Sequence, residues 1–304
     1  METTLDRVPC GARAAVIRLR SLGDCVLTTP ALEILKRSRP DLKVGVVVED
    51  RFAAIFEGNP DIDDILPPRL GALAKWKPAL CLNLHGGPRS MALSIWSGAR
   101  FRAGFGHHRH SLFYNVRIPP PQRILGISRK AHTVEHLAAA VFHLGAPLCE
   151  IPSTKLFANR ASADLPPYAV LHPAASAHDK TWPAAGFLEV ARHLREAWGV
   201  EPVFVGGAED DLAGFSAYRT CAGAPLAALK TLIARASAFV GNDAGPAHMA
   251  AAFGVPAVVI FGNSDLELWR PWKAPAEAVA GAGPISEVSH RTVIAALERL
   301  KVTA

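Results

Sequence analysis

Short runs of apolar residues alternate along this chain with stretches whose apolar positions recur every three or four residues. The first pattern is that of strands buried on both faces, the second that of amphipathic helices. In the first half, strands are expected at Ala14–Leu19, Val44–Val48, Ile62–Leu66, Leu80–Leu84 and Arg102–Phe105. Between them the spacing predicts a helix ending near Arg39, a short one around Arg51–Glu57, and others at Arg89–Trp96 and His132–Leu144. Gly106 to Lys130 has no clear period and reads as a long basic loop, a length that is often functional. Pro147, Pro152, Pro166 and Pro167 mark a connection between domains. The second half then repeats the scheme, with strands at Tyr168–Leu171, Pro202–Val205, Ala238–Val240 and Val255–Phe261 and helices at Ala184–Trp198, Leu226–Ala236, Ala247–Phe253 and Arg291–Leu300. Repeated βα units imply parallel sheets covered by helices on both faces. The reading is two α/β domains in series, 1–152 and 153–304, facing each other across a cleft, with the last helix able to pack back on the first domain.

Within that scheme Val240–Gly262 is the most specific segment. A strand runs into Gly241-Asn242-Asp243-Ala244-Gly245; Pro246 suits the start of a helix and Gly254 its end. A loop of small residues over a helix N-terminus, at the carboxyl end of a strand, is a place where open α/β sheets bind phosphate. Asp243 is expected to cap the helix through the backbone N–H groups, because a carboxylate beside a diphosphate would repel it. That leaves the amides of Ala244, Gly245, Ala247 and His248 to face a ligand, while Pro246 has no N–H. The His248 ring is either a packed residue of an alanine-rich helix or a donor to a phosphate or sugar oxygen.

Two other segments carry chemistry. In Arg18–Leu32, Asp24 is the natural cap of a following helix, but Pro30 would lie inside a helix that began at Cys25. If the regular helix starts nearer Pro30, Asp24 is left in a freer loop, where a carboxylate can serve as general base. In His172–Pro183, Ser176, Lys180 and Thr181 follow a strand and suit phosphate, the lysine as a point charge. Gly206-Gly207-Ala208-Glu209 also follows a strand, and Glu209 is the candidate for ribose hydroxyls. The alternatives are a solvated lysine and an acidic first helical turn. The G-x-G-x-x-G, Walker A, G-x-S-x-G and H-E-x-x-H patterns are absent, which disfavours an NAD-dependent enzyme, and no cluster has metal-ligand spacing.

Charge adds a partner. The chain of 304 residues has a formal charge of +6, and no Asp or Glu lies between Ile65 and Val134, a window with 11 Lys and Arg and the histidines His85, His107, His108, His110 and His132. Such a field attracts an anionic partner. The five cysteines are scattered without a C-x-x-C pair, indicating free thiols in a reducing cytosol. The first residues lack the order of a signal peptide, and no apolar run approaches the ~18 residues that span a bilayer.

Taken together, IRLRSLGDCVLTTPAL, HPAASAHDKTWP and VGNDAGPAHMAAAFGVPAVVIFG with FGNSDLELWRPW resemble glycosyltransferase family 9, the bacterial heptosyltransferase-like enzymes. Asn83-Leu84-His85-Gly86 and Ser97-Gly98-Ala99-Arg100 with Gly104-Phe105 also match family positions. The resemblance implies a GT-B fold of two Rossmann-like domains, an N-terminal one for the acceptor and a C-terminal one for a nucleotide-sugar, with inverting transfer and no metal or other cofactor. It implies Asp24 as the base, Ser176 and Lys180 on the diphosphate, and Asp243, Ala244, Gly245 and His248 completing the donor site, to which the residue readings add Thr181 and Glu209. Its donor would be ADP-heptose or another nucleotide-hexose; a non-catalytic glycan-binding relative is the other alternative. The positive half would then meet an anionic, lipid-linked glycan at the inner membrane, with His85, Arg102, Arg109 and Arg117 on the acceptor and no nucleic acid involved. Two departures stand out: Ala244 replaces a frequent hydroxyl residue and Asn83 a usual Asp.

Overall fold

The computed structural model describes residues 2–109, 111–158 and 166–300; His110, in the basic window, falls outside the described residues. The chain divides into two compact units, Met1–Phe157 and Ala158–Ala304. Residues just beyond Pro152 are held by the first unit: the Lys155 N–H donates to Thr29 Oγ1 at 3.1 Å, and its ammonium lies 2.8 Å from Glu33 and 2.7 Å from Asp61.

The first unit contains strands β1 (Arg13–Ile17), β2 (Lys43–Val47), β3 (Asp64–Leu66), β4 (Leu80–Asn83), β5 (Phe101–Phe105) and β6 (Val116–Ile118). Its helices are α1 (Leu22–Leu27), α2 (Thr29–Ser38), α3 (Leu70–Trp76), α4 (Pro88–Trp96), α5 (Pro121–Leu125) and α6 (Thr133–Leu144). The sheet is parallel throughout, in the order β3-β2-β1-β4-β5-β6. The second unit contains β7 (Tyr168–His172), β8 (Glu201–Gly206), β9 (Arg219–Ala222), β10 (Ala238–Asn242), β11 (Ala257–Phe261) and β12 (Ala276–Ala280), with α7 (Ala184–Trp198), α8 (Leu226–Ala234), α9 (Gly245–Phe253), α10 (Leu266–Trp269) and α11 (His290–Arg299). Its order, β9-β8-β7-β10-β11-β12, repeats the first sheet's strand for strand, also all parallel. Each sheet therefore reverses direction of growth between its first and fourth strands, β1 and β4 in one and β7 and β10 in the other. Crevices open at such switch points, beyond the carboxyl ends of the strands.

Elements expected from long apolar runs are present: β7, β10 and β11 are buried along their whole length. The long structureless loop expected at Gly106–Lys130 is instead a turn of 3₁₀ helix (Ser111–Phe113), β6 and α5. Strand β6 is three residues long with exposed Arg117 at its centre, so its apolar signal is too short to read. Strands β9 and β12 are also edge strands, largely open to solvent, and carry no continuous apolar run. Helix α11 buries Val293, Ala296 and Leu297 in the core of the second unit, packing on α7, β11 and β12.

Candidate functional site

The carboxyl edge of the first sheet gathers residues from three strand ends and α6. Pro30 is accommodated by breaking the helix: α1 stops, α2 restarts at Thr29, and the Thr29 hydroxyl donates to the Val26 carbonyl at 2.9 Å, the acceptor that proline cannot serve. Asp24 consequently stands in the first turn of α1, not in the free loop that Pro30 suggested. Its Oδ1 accepts from Arg18 Nη2 at 2.9 Å; its Oδ2 accepts the Ser21 N–H at 3.3 Å and the Ser21 hydroxyl at 3.1 Å. Arg18, buried at the end of β1, also reaches Thr28 Oγ1 at 3.3 Å, and the Thr28 hydroxyl returns to the Asp24 carbonyl at 2.8 Å. A carboxylate offers about four acceptor positions. Three are filled, and the side chain keeps 23% of its exposure, so one position is open to a proton donor from outside.

Beyond β4, the buried Asn83 amide shapes the next loop. It donates to Ser90 Oγ at 3.1 Å and Tyr114 Oη at 2.8 Å and accepts the N–H groups of His85 and Gly86 at 3.0 and 3.2 Å. The donor half of this set needs an amide; an aspartate in its place would have no N–H to give. His85 is partly buried, and burial followed by the Arg18 charge pushes its pKa down, with Asp24 opposing. Gly86 has φ 74° and a Cβ there would meet the His108 ring at 2.6 Å, so glycine is required for this approach. Burial, then His107, His85 and Arg18, also lowers His108. His136 on α6, outside the basic window and not anticipated from the sequence, is lowered to about 4 by burial, His107, His108 and Arg18.

Of the other expected acceptor residues, exposed Arg109 lines a cavity of about 320 Å³ with Gly87, Met91, His108 and Tyr114. Arg102 sits near the amino end of β5, opposite Cys81, with Nη1 on the Ala99 carbonyl at 3.1 Å, and is not brought to this edge. Arg117 is exposed on the edge strand, opposite Gly104.

The carboxyl edge of the second sheet joins three loops. After β7, Ser176 is exposed, and a 3₁₀ turn (His178–Lys180) leaves Lys180 partly exposed. The Thr181 hydroxyl donates to the Ala177 carbonyl at 2.8 Å. After β10 the chain passes through Asp243 into α9, whose N-cap is Ala244. The expected capping by Asp243 is not made: it lies one residue outside the cap, its N–H pairs with the Ile260 carbonyl at 3.0 Å, and its carboxylate forms no hydrogen bond among the described residues. The start of α9 thus has no side-chain cap, and His248 is buried within the helix. After β11, Gly262 lies against the Lys180 turn so closely that a Cβ would meet the Asp179 carbonyl oxygen at 2.2 Å, and Asn263 Nδ2 donates to Asp179 Oδ2 at 2.8 Å.

Asn242 holds this edge together. Fully buried at the end of β10, it donates through Nδ2 to the Pro173 carbonyl at 2.7 Å and accepts the Trp182 N–H at 3.0 Å, clamping both ends of the Lys180 loop. The Trp182 indole N–H donates in turn to the Val288 carbonyl at 2.8 Å. Asn83 and Asn242 each end an apolar run, and each closes the fourth strand of its sheet. Glu209 is exposed, and the neighbouring Asp210 shapes the turn instead, its Oδ2 accepting the Gly207 N–H at 2.6 Å. Asp210 and Asp211, rather than Glu209, line a cavity of about 260 Å³ with Pro173, Thr181, Trp182 and Phe215. At the end of β7, His172 is buried, and burial lowers its pKa to about 4 against the opposing charge of Asp210.

Chemically, the second edge offers a lysine, small residues and an uncapped helix N-terminus, a set suited to phosphates. The first offers a carboxylate with one open acceptor position. Among the described residues, no group of three or more His, Cys, Asp or Glu is arranged to hold a metal ion, and no helix is long and apolar enough to cross a membrane.

The family model described as glycosyltransferase family 9 (heptosyltransferase) matches residues 77–294. Lipopolysaccharide heptosyltransferase 3 of Escherichia coli is 28% identical over 292 residues, covering 84% of each chain. Among solved structures, a family 9 glycosyl transferase from Veillonella parvula aligns with TM-score 0.82 at 22% identity over 95% of this chain and 97% of that one. The E. coli ADP-heptose lipopolysaccharide heptosyltransferase II aligns with TM-score 0.78 at 20% identity, over 95% and 98%. The fold is the two-domain GT-B type.

Proposed function

The chain belongs to glycosyltransferase family 9 and is a glycosyltransferase, and from that premise we propose that it moves heptose from ADP-heptose onto an anionic, lipid-linked glycan of the lipopolysaccharide core, inverting the anomeric centre without a metal. The single observation that carries the mechanism is Asp24: oriented by Arg18 and Ser21, with one acceptor position left open. Asp24 takes the proton of the acceptor hydroxyl as its oxygen attacks the anomeric carbon, and the bond from that carbon to the diphosphate breaks with its electron pair going to phosphate. Positive charge develops on the sugar ring in such displacements. On the second edge, Lys180 offsets the charge of the departing diphosphate, with Ser176, Thr181, Gly245 and the start of α9 around it. Asp243, Ala244 and His248 border the same loop, and the ribose is assigned to the turn after β8, where Glu209 is exposed and Asp210 and Asp211 line the cavity. The heptose assignment is supported by the likeness to the E. coli heptosyltransferases.

Another nucleotide-hexose is the second reading of the donor, because Ala244 has no hydroxyl to give at the start of α9. His85 and Arg109 belong to the acceptor side, with Arg102 and Arg117 contributing to its positive field. Peripheral contact with the inner membrane is supported by Leu112 and Phe113, 75% and 52% exposed, in the turn between Arg109 and Arg117.

A thermal-shift panel of ADP-, UDP- and GDP-sugars tests the donor, since a ligand of the folded state raises its melting point. ADP-heptose should stabilise most; stabilisation by UDP-sugars alone would reject the assignment. Asp24→Ala should abolish transfer and leave ADP affinity nearly intact, and unchanged turnover would remove Asp24 from the mechanism.

A further inference from the structure

Four imidazoles of the first unit come from separate parts of the chain: His85 follows β4, His107 and His108 follow β5, and His136 comes from α6. Three of them surround the Phe105 ring, with centroids at 5.5 Å for His107, 5.6 Å for His108 and 4.1 Å for His136. His107 lies 4.5 Å from His108 and 5.5 Å from His136. His85 and His108 are close enough to repel each other's protonated forms.

The surrounding charges are one-sided. Arg18 faces His85, His108 and His136, and Arg20 faces His85. Asp24 is the carboxylate that faces His85, and it is already held by Arg18 and Ser21. Glu49, at the end of β2, is paired with Arg51 at 2.9 Å and Arg89 at 3.1 Å. Glu135, beside His136 on α6, is bound by Arg129 at 2.5 and 2.7 Å and by the His132 N–H at 2.8 Å. His143, farther along α6, pairs with the Arg117 backbone. The carboxylates named above are thus already paired with arginines, and burial, followed by neighbouring positive groups, lowers the proton affinity of His85, His108 and His136.

We propose that His85, His107, His108 and His136, with Arg18, form a cradle for an anionic oxygen group of the acceptor, a phosphate or a sugar carboxylate, and that the cradle takes up a proton as the anion enters. An arginine or lysine patch would bind such a group independently of pH near neutrality. Imidazoles kept neutral couple binding to protonation: the anion supplies negative charge, raises the rings' proton affinity, and is held more tightly as pH falls. The inference rests on reading this edge as the acceptor side and adds to it a proton-linked specificity. It also gives Gly86 a purpose, since the glycine lets the His108 ring close on the loop after β4 that carries His85.

The test uses the full chain saturated with ADP, so that the nucleotide edge is filled. Inorganic phosphate and glucuronate are titrated between pH 5.5 and 8, with calorimetry and the histidine Cε1–H resonances as readouts. The expected result is upward movement of imidazole pKa values on adding one of the two anions, and an affinity that rises up to about tenfold per pH unit lowered for each proton taken up. The anion that does so identifies the group. His108→Gln and His136→Gln should flatten this dependence while the ADP-induced thermal shift persists. Anion binding that is independent of pH, or histidine resonances that ignore both anions, would overturn the proposal. Either failure leaves the donor assignment standing if ADP-heptose still stabilises the protein. Loss of ADP-heptose stabilisation with proton-linked anion binding intact would instead reject the functional reading and keep the cradle.

Discussion

Removing the Asn242 side chain should loosen the second edge at its root. In Asn242→Ala, the Pro173 carbonyl loses its donor at 2.7 Å and the Trp182 N–H its acceptor at 3.0 Å, both at a buried position. A buried polar group left without a partner costs about 1–3 kcal/mol, so two together cost about 2–6 kcal/mol, the lower end applying if water fills the space of the amide. Asn242→Asp changes one group only: it keeps the acceptor for Trp182 but sets a carboxylate oxygen against the Pro173 carbonyl with no proton between them. It should therefore destabilise at least as much as the alanine. Urea unfolding followed by tryptophan emission reads the stability, with Trp182 a fully buried reporter. A lower midpoint at unchanged slope is expected. Because the clamp fixes both ends of the Lys180 loop, ADP affinity by calorimetry should also fall, by about tenfold or more, the equivalent of ~1.4 kcal/mol. A stability loss below about 0.5 kcal/mol, the scatter of ordinary surface substitutions, together with unaltered ADP binding, would refute the clamp.

Three further outcomes follow from the same geometry. Gly262→Ala places a methyl 2.2 Å from the Asp179 carbonyl oxygen, so the Lys180 turn must retreat; overpacking of this kind costs about 1–3 kcal/mol, and calorimetry should show weakened ADP binding while the first unit's anion binding is kept. The proton affinity of His172 is depressed in the folded state, to about 4 from the ordinary 6.5, so the unfolded chain takes up the proton first and stability falls as pH drops from 6.5 toward 4. The urea midpoint should track this loss, and His172→Gln should make the dependence shallower; identical slopes for the two proteins would contradict the assignment. Leu112→Ser with Phe113→Ser should reduce sedimentation with anionic phosphatidylglycerol vesicles, and binding should weaken with salt; retention of full binding by the double variant would exclude this turn as the contact.

The alternating pattern was enough to place the interior strands and the long helices, because a strand buried on both faces must be apolar throughout and a covering helix must repeat at its own period. It was also enough to bring three distant motifs together as one family resemblance. Pro246 and Gly254 located α9 because their backbone restrictions are local. The edge strands β6, β9 and β12 were invisible, since pairing with a neighbour, not composition, makes them strands. Asp24 illustrates the limit at the site. Its identity was legible, but the conflict with Pro30 was resolved by a helix break whose replacement donor, Thr29, is a side-chain choice that periodicity does not encode.

What the chain's order of residues determined alone was therefore the list of elements, the family and the residues with chemical potential. Which of them act together was decided by tertiary structure. His136 joins His107 and His108 only because α6 lies against the end of β5, and Arg102 is excluded because it occupies the opposite end of the same strand. Asp210, not Glu209, lines the pocket wall, and Asn242 proves to be a clamp, through hydrogen bonds that span 60 and 69 residues of chain. Proximity across such separations is set by how the sheets are ordered and how the loops over them pack, and no local signal carries it.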